Sequence, residues 1–213
     1  PCRKICILAS LAFGTHVYPD SVYTEGITKI TLQDVDFADV WGGVIKLIGS
    51  VKKLENGQVH IMVCPMFVHR GSQLASVDDV FNGIMVRGDA TGDVVFYGKG
   101  AGKLPTADVI DCVKHFKARK YLFWEDAKPN YVADFGSMET SAFVRVSAKD
   151  SDTALNTAAD VFGKITPLLA KRPVQGEAGF TVENLTEKEL CDKLAALEAR
   201  GVKVEGRIRI SDY

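Results

Sequence analysis

The sequence predicts an α/β (α+β) protein built from two units, and two patterns carry this prediction. In the first part, helical segments alternate with β-branched runs, which predicts an antiparallel or mixed sheet with helices on one face. In the second part, the elements follow one another in the order βαββαβ. The chain has 213 residues, 46% of them hydrophobic, so we expect one or two domains with a sizeable core.

The first unit begins with two helices. Residues 4–13 are apolar at helical spacing, and Gly14 stands where a helix C-cap glycine belongs. Thr31 is a good N-cap for a second helix that runs to Trp41, and the glycines at 42–43 end it.

Two strand pairs and a further helix complete this unit. Asn56-Gly57 lies between the β-branched runs 44–53 and 58–68, which is a strong hairpin signal. The remaining expected elements are a second strand pair and a helix, over residues 83–87, 93–97 and 106–116.

The character of the sequence changes after a basic run at residues 117–120. We interpret 117–137 as a linker that packs against its neighbours, between a first domain at 1–116 and a second at 138–213. Thr186 and Glu189 form a capping box. The second domain has the element order of a ferredoxin-like fold, with strands and helices expected at 140–147, 151–162, 165–170, 178–182, 186–200 and 202–210.

Composition excludes several classes of function. The net charge is −1, which gives no indication of a nucleic-acid or membrane surface. The sequence has neither an apolar run long enough to span a bilayer nor a signal-peptide pattern, so we expect a cytoplasmic protein.

The cysteines and histidines give no catalytic or metal-binding pattern. The five cysteines are scattered without a CxxC motif, and Cys2 and Cys6 share a helical face but make a poor metal site. We therefore predict buried free thiols and no metal. None of the four histidines is paired with a serine, a cysteine or an acid, so none is predicted to be catalytic.

A glycine-rich segment follows the strand at 93–97. Gly98, Gly100 and Gly102 lead to Pro105 and Thr106 at an expected helix start, an arrangement that can expose backbone N–H groups to a phosphate. The spacing fits neither a P-loop nor a dinucleotide fingerprint. Spacing alone leaves ligand contact and a tight turn as alternatives.

The residue identities go further than the spacing. The segment FYGKGAGKLPTA, at 96–107, closely resembles the FYGxGAGxxPTA segment of homoserine dehydrogenases. Three more segments resemble motifs of that family in the family's order, namely KICILASLAFGT (4–15), VYTEGITKI (22–30) and LASVDDVFNGIMVRGD (74–89). The resemblance covers residues 3–114 and identifies the chain as similar to the C-terminal portion of such an enzyme.

The resemblance implies an activity and a catalytic residue. Homoserine dehydrogenases interconvert L-homoserine and L-aspartate 4-semialdehyde with NAD or NADP, in threonine, methionine and isoleucine biosynthesis. Lys4 matches the family's catalytic lysine, which supplies a proton to the alkoxide that hydride transfer leaves. The family's aspartate four residues earlier falls before Pro1. Without the resemblance, Lys4 reads as a solvated lysine in a first helical turn.

The same resemblance implies the cofactor contacts. Gly102 matches the nucleotide-contacting glycine, with Gly100, Ala101 and Thr106 around it. After Ala107 the sequence is shorter than the family's helix, so either the helix is truncated or residues are missing from the sequence. Glu25 is expected to cap a helix or a turn, and Asn82 to satisfy backbone groups between strands.

The second unit resembles an ACT regulatory domain, which some members of the family carry at the C-terminus. This implies a possible amino-acid effector, but residues 148–152 lack the proline and glycine that ACT domains usually place in this turn. The resemblance and the exposed sheet edges together imply a homodimer or higher homo-oligomer.

The abrupt start of the sequence bears on activity. No dinucleotide fingerprint is present, so we expect a nucleotide-binding domain before Pro1 and an inactive chain without it. The alternatives are a non-catalytic module for amino-acid sensing and dimerisation, and an assembly scaffold. NAD and NADP preference are not distinguished by this sequence.

Overall fold

The computed structural model describes residues 1–100 and 124–213. The helix predicted at 106–116 lies outside the described residues. The helices are α1 (Cys2–Phe13), α2 (Leu32–Trp41), α3 (Ser151–Phe162) and α4 (Glu187–Ala199). The strands are β1 (Tyr23–Thr24), β2 (Gly43–Lys53), β3 (Val59–His69), β4 (Phe81–Gly88), β5 (Gly92–Lys99), β6 (Glu139–Ser147), β7 (Thr166–Leu168), β8 (Glu177–Thr186) and β9 (Lys203–Ile210).

The helices end close to where local signals predicted. Gly14 follows α1 at φ 71°, and its N–H donates to the Ser10 carbonyl at 2.9 Å. Thr31 caps α2, and Asp34 completes a capping box that the sequence analysis did not predict. The predicted capping box of Thr186 and Glu189 is present at the start of α4.

Both predicted hairpins are present. β2 and β3 pair antiparallel along their whole length, around a turn in which Gly57 has a φ of 83°. β4 and β5 also pair antiparallel, but they form a separate two-stranded sheet.

The other seven strands form one mixed sheet. Its order is β1-β3-β9-β6-β8-β7, and β2 also pairs with β3. The sequence pattern predicted a separate sheet for each unit, and this prediction is wrong. The two sets of strands form one sheet because β3 and β9 pair in parallel, with Met66 opposite Arg209 and Phe67 opposite Ile210. Local periodicity could not predict this junction, because the paired residues are far apart in sequence.

The helices lie on both faces of the joined sheet. α1 and α2 cover one face of the β2–β3 hairpin, where Ile61 and Val63 of β3 pack in the cluster with α1 and Phe67 packs in the cluster with α2. On β6, Phe143 packs in the α2 cluster, while the next residue, Val144, lies in the cluster under α3 and α4. Each unit alone has its helices on one face, and α2 also covers the second face of β6.

The described part of the segment predicted to be a linker runs against the first unit. Glu125 and Thr15 form a parallel bridge, as do Val132 and Val59. Tyr131 packs with Val132 against the cluster beneath α1. Residues 124–137 therefore form part of the packed surface around α1 and β3.

The prediction of buried thiols is confirmed for Cys6 and Cys64, but Cys2 is only half-buried and Cys191 is exposed; Cys112 lies outside the described residues. Cys6 and Cys64 are buried, and burial raises the pKa of each thiol to about 11. Cys191 lies in α4, and its exposed sulfur accepts a hydrogen bond from Arg207 Nη1 of β9 at 3.5 Å. No helix in the described ranges is long and apolar enough to cross a membrane.

Candidate functional site

Lys4 lies in the first turn of α1, and its side chain is exposed. The helix beneath it is fixed in place, because its neighbour Ile5 is buried against β2. A Cβ at Gly49 of β2 would lie only 3.3 Å from the Ile5 Cβ, so the glycine permits this close packing. The ammonium group of Lys4 is therefore presented to solvent from a rigid support.

The glycine-rich segment begins at the end of β5. Gly100 lies just after the strand, and its N–H donates to the Val80 carbonyl at 3.2 Å, which extends the pairing with the β4 side of the hairpin. Gly98 is open, since a Cβ there would have no atom within 4 Å. The backbone at Gly98 therefore carries no neighbouring side chain from the described residues over it.

The other predicted cofactor residues, Ala101, Gly102 and Thr106, lie outside the described residues. Lys4 and Gly100 lie on separate elements, and no hydrogen bond or ion pair joins them in the described ranges. Lys4 and Gly100, the two described residues of the predicted site, therefore lie in separate parts of the structure.

Glu25 does not cap a helix or a turn, contrary to the sequence prediction. Its carboxylate accepts hydrogen bonds from Arg209 Nη1 at 2.6 Å and from Arg207 Nη2 at 2.8 Å. The Tyr23 hydroxyl also donates to it at 2.5 Å. Both arginines come from β9, so Glu25 connects the EGIT segment to the second unit.

Arg209 is the centre of this cluster. It is 1% exposed and forms a two-pronged ion pair with Glu187, with Nε–Oε1 at 2.6 Å and Nη2–Oε2 at 2.9 Å. Its guanidinium also lies 5.1 Å and 5.3 Å from the ring centres of Tyr23 and Phe135, which stack on each other. The buried guanidinium of Arg209 is thus stabilised both by a carboxylate and by two aromatic rings.

Electrostatics in this cluster favour the charged forms of Glu25 and Arg209. Burial opposes ionisation of Glu25, but the hydrogen bond from Tyr23 and the charges of Arg209 and Arg207 hold its carboxyl pKa below the ordinary value. Burial likewise opposes the charge of Arg209, yet its hydrogen bonds to Glu187 raise its pKa. Burial and the bond to Glu25 raise the pKa of Tyr23. Glu25 and Arg209 are thus held in their charged forms, while Tyr23 keeps its proton.

A second buried ion pair joins the units on the other face of the sheet. Arg145 Nε of β6 donates to Asp34 Oδ1 of α2 at 2.8 Å, and the side chains are 6% and 2% exposed. Arg145 also donates to Glu177 and to Thr31, which caps the same helix. Asp34 therefore serves the helix cap and the contact between the units at once.

One sequence signal could have identified these clusters. Arg207 and Arg209 flank the apolar Ile208 in the last strand of the chain, and buried arginines require acidic partners. The partners themselves could not be chosen from sequence, because Glu25 and Glu187 come from opposite ends of the chain.

The hairpin β4–β5 has an exposed apolar face. Ile84 pairs with Phe96, and Val86 pairs with Val94, all four on one side. Their exposed fractions range from 38% for Val94 to 61% for Phe96. A contiguous apolar patch of this kind is typical of a surface that another part of an assembly covers.

The second unit has a shallow pocket of about 510 Å³ between α3 and β7. It is lined by Asp152, Leu155, Asn156, Ala159, Gly163, Lys164, Ile165 and Pro167. In the turn before α3, Asp150 Oδ1 accepts the Thr153 N–H at 2.7 Å and caps the helix.

Comparisons with a family model and with curated proteins both find homoserine dehydrogenases. The family model described as "Homoserine dehydrogenase" matches residues 1–111. Curated homoserine dehydrogenases from Pseudomonas aeruginosa and Neisseria gonorrhoeae are each 32% identical to the chain, over 199 and 206 residues. These alignments cover 88% and 91% of the chain but 43% and 44% of the relatives.

Comparison with solved structures also finds homoserine dehydrogenases. A homoserine dehydrogenase from Thiobacillus denitrificans is similar with a TM-score of 0.77 at 29% identity, covering 99% of the chain and 52% of that structure. A homoserine dehydrogenase from S. aureus has a TM-score of 0.75 at 27% identity, covering 100% and 52%. The chain spans about half the length of the relatives that it matches.

Proposed function

The chain belongs to the homoserine dehydrogenase family, and we propose on that basis that it contributes to the NAD(P)-dependent interconversion of L-homoserine and L-aspartate 4-semialdehyde. This reaction would serve threonine, methionine and isoleucine biosynthesis. The observation that carries the proposal is the family match over residues 1–111, which includes Lys4 and the glycine-rich segment. The alternative of a purely non-catalytic module is less favoured, because the match falls on the unit that carries these residues.

We propose Lys4 as the proton donor. Reduction of the semialdehyde leaves negative charge on the former carbonyl oxygen, and an ammonium group beside that oxygen can stabilise it and deliver a proton. The exposed position of Lys4 on a helix packed against β2 supports this role. Rigid support matters because small displacements of a catalytic group reduce the rate strongly.

The cofactor in this proposal is NAD or NADP, which supplies the hydride. Gly100, Ala101, Gly102 and Thr106 are proposed to contact it. The open backbone at Gly98 and the directed N–H of Gly100 support a close approach at the entry to this segment.

For the domain organisation, we propose a catalytic and dimerisation domain at 1–116, a linker at 117–137 and an ACT-like domain of ferredoxin-like fold at 138–213. The strand order β9-β6-β8-β7 in the second unit supports the last assignment. An amino-acid effector is part of this proposal, with the surface around α3 as its place. Calorimetric titration with threonine, methionine and serine tests it, and absence of heat with all three would contradict it.

For partners and location, we propose a cytoplasmic homodimer or higher homo-oligomer that binds neither nucleic acid nor membrane. The exposed apolar face of the β4–β5 hairpin supports association. The net charge of −1 supports the absence of a nucleic-acid partner.

The experiment that tests the function is a spectrophotometric assay of homoserine oxidation. The product of the complete reading frame that contains this chain should reduce NAD or NADP only when homoserine is present. The isolated 213-residue chain should show no such activity, and detectable oxidation by it would contradict the expectation that a further nucleotide-binding domain is required.

A further inference from the structure

Gly49 of β2 lies directly beneath the first turn of α1. If residue 49 had a Cβ, this atom would lie 3.3 Å from the Cβ of Ile5, and 3.6 Å and 3.7 Å from its two γ-carbons. The shortest of these distances is below the optimal separation of two carbon atoms, about 3.5–4.0 Å. A Cβ is bonded to the backbone, so no side-chain rotation of Ile5 can move it away. A side chain at position 49 would therefore displace one of the two backbones by a few tenths of an ångström.

The strand side of this contact is held by the sheet. Gly49 pairs with Val63 in the middle of the β2–β3 ladder, whose register continues without a shift from residue 43 to residue 53. Val63 is only 1% exposed and packs in the same cluster as Ile5. A shift of β2 would strain the hydrogen bonds of this ladder, whereas a tilt of the first helical turn leaves the bonds inside the helix intact. The helix is therefore the side that yields.

The far end of α1 is anchored. The buried Ser10 hydroxyl donates to the Cys6 carbonyl at 2.7 Å and accepts the Val17 N–H at 3.0 Å, which ties the helix to the segment that follows it. The Gly14 carbonyl accepts the Glu125 N–H at 2.9 Å. Because these bonds hold the last turns, a push near the start of the helix tilts its first turn instead of sliding the whole helix along β2.

We infer that Gly49 is a positioning residue for Lys4: the lack of a side chain at position 49 sets the distance of the first turn of α1 from β2, and thereby the position of the Lys4 ammonium group. The inference rests on the proposed function, since it assumes that Lys4 transfers the proton. Gly49 itself touches neither substrate nor reacting atoms. It acts through Ile5, which follows Lys4 in the helix and is buried where Lys4 is exposed.

The first test is the kcat of homoserine oxidation by the product of the complete reading frame. Gly49→Ala should lower kcat roughly fivefold, because a misplacement of about 1 Å can cost roughly 100-fold and a shift of a few tenths of an ångström costs less. The KM values for homoserine and for the dinucleotide should stay within about twofold, since the ammonium group is proposed to act in the transition state. An unchanged kcat would show that position 49 does not set the position of Lys4.

A double-mutant cycle with Lys4→Ala shows whether the effect passes through Lys4. In that background Gly49→Ala should leave the residual kcat unchanged within about twofold, because no ammonium group is left to misplace. The same roughly fivefold loss with and without Lys4 would mean that Gly49→Ala disturbs the site in general, and the inference would be wrong.

Gly179→Ala is the matched control. It also adds a methyl group at a tight contact, 2.6 Å from Phe37, but it does so in β8 of the second unit. It should lower the midpoint of thermal unfolding and leave kcat unchanged within about twofold. Thermal unfolding of every variant shows that the assays are run on folded protein. A kcat loss in Gly179→Ala as large as in Gly49→Ala would show that the activity follows stability, which would overturn the inference.

Failure of the inference and failure of the proposed function give different results. An active wild type with a fully active Lys4→Ala variant would remove the proton-transfer role of Lys4, and the positioning role of Gly49 with it. A wild type that does not reduce NAD or NADP with homoserine would overturn the proposed function itself.

Discussion

Arg209 of β9 and Glu187 at the first turn of α4 form a doubly hydrogen-bonded ion pair in which each side chain is only 1% exposed. Arg209 extends from this pair to Glu25, which lies in the EGIT segment of the first unit. A buried charge is tolerated only when its partners are in place. Through its bond to Glu25, Arg209 therefore connects the last strand of the described chain to a segment near residue 25.

Removal of one partner of this pair should strongly destabilise the fold. Glu187→Gln keeps the shape but leaves the Arg209 charge undercompensated, and we expect a loss of about 3 kcal/mol in the free energy of unfolding. Urea denaturation measures it. Asp93→Asn is the control, since Arg87 and Asp93 form an exposed pair that should cost less than about 1 kcal/mol. Equal losses in the two variants would refute the assignment of a buried network.

Stability should fall in acid partly because of Glu25. Its carboxyl pKa in the folded state lies below the ordinary value, so its contribution is fully present above the unfolded-state pKa of about 4.3. The contribution is lost as the pH falls through the lower folded-state pKa. Glu25→Gln should thus be less stable than the wild type at pH 7, and the difference should shrink towards pH 3. A constant difference across this range would show that Glu25 is not held ionised.

The contact between α2 and the second unit should not tolerate extra volume. A Cβ at Gly179 of β8 would lie 2.6 Å from Phe37 and 2.9 Å from Phe143, so Gly179→Ala should cost about 1–3 kcal/mol. Gly26→Ala, where a Cβ meets nothing within 4 Å, is the matched control and should cost much less. Thermal and urea unfolding compare the two, and a well-tolerated Gly179→Ala would contradict this packing.

How far the sequence predicts this structure depends on the distance over which each feature is encoded. The cap of α4 needs only Thr186 and Glu189, and the β2–β3 turn needs only Asn56-Gly57, so both were predicted. The pairing of Met66 with Arg209 depends on residues far apart in sequence and was missed.

The same reasoning applies to the candidate site. Lys4 was identified by its resemblance to a motif, because an exposed lysine in a helix carries no physical signal of its own. Glu25 was misinterpreted since its arginine partners are contributed by the last strand. The roles of Gly102 and Thr106 stay predictions from resemblance.

Self-association should depend on the apolar face of the β4–β5 hairpin. Phe96→Asp places a charge in the middle of that face, and we expect it to shift the protein towards monomer at micromolar concentration. Light scattering after size-exclusion chromatography measures the mass. Leu169→Asp is the control, because Leu169 is 86% exposed and lies outside the hairpin. A wild type that is already monomeric, or a Phe96→Asp variant with unchanged mass, would rule out this interface.

The most direct test of the central claim is homoserine-dependent reduction of NAD or NADP by the product of the complete reading frame, compared between the wild type and Lys4→Ala. We expect activity in the wild type, a loss of about 10²- to 10⁴-fold in kcat for Lys4→Ala, and wild-type rates for Lys128→Ala, which changes another exposed lysine. Absence of homoserine-dependent reduction in the wild type, or full activity of Lys4→Ala, would contradict the account.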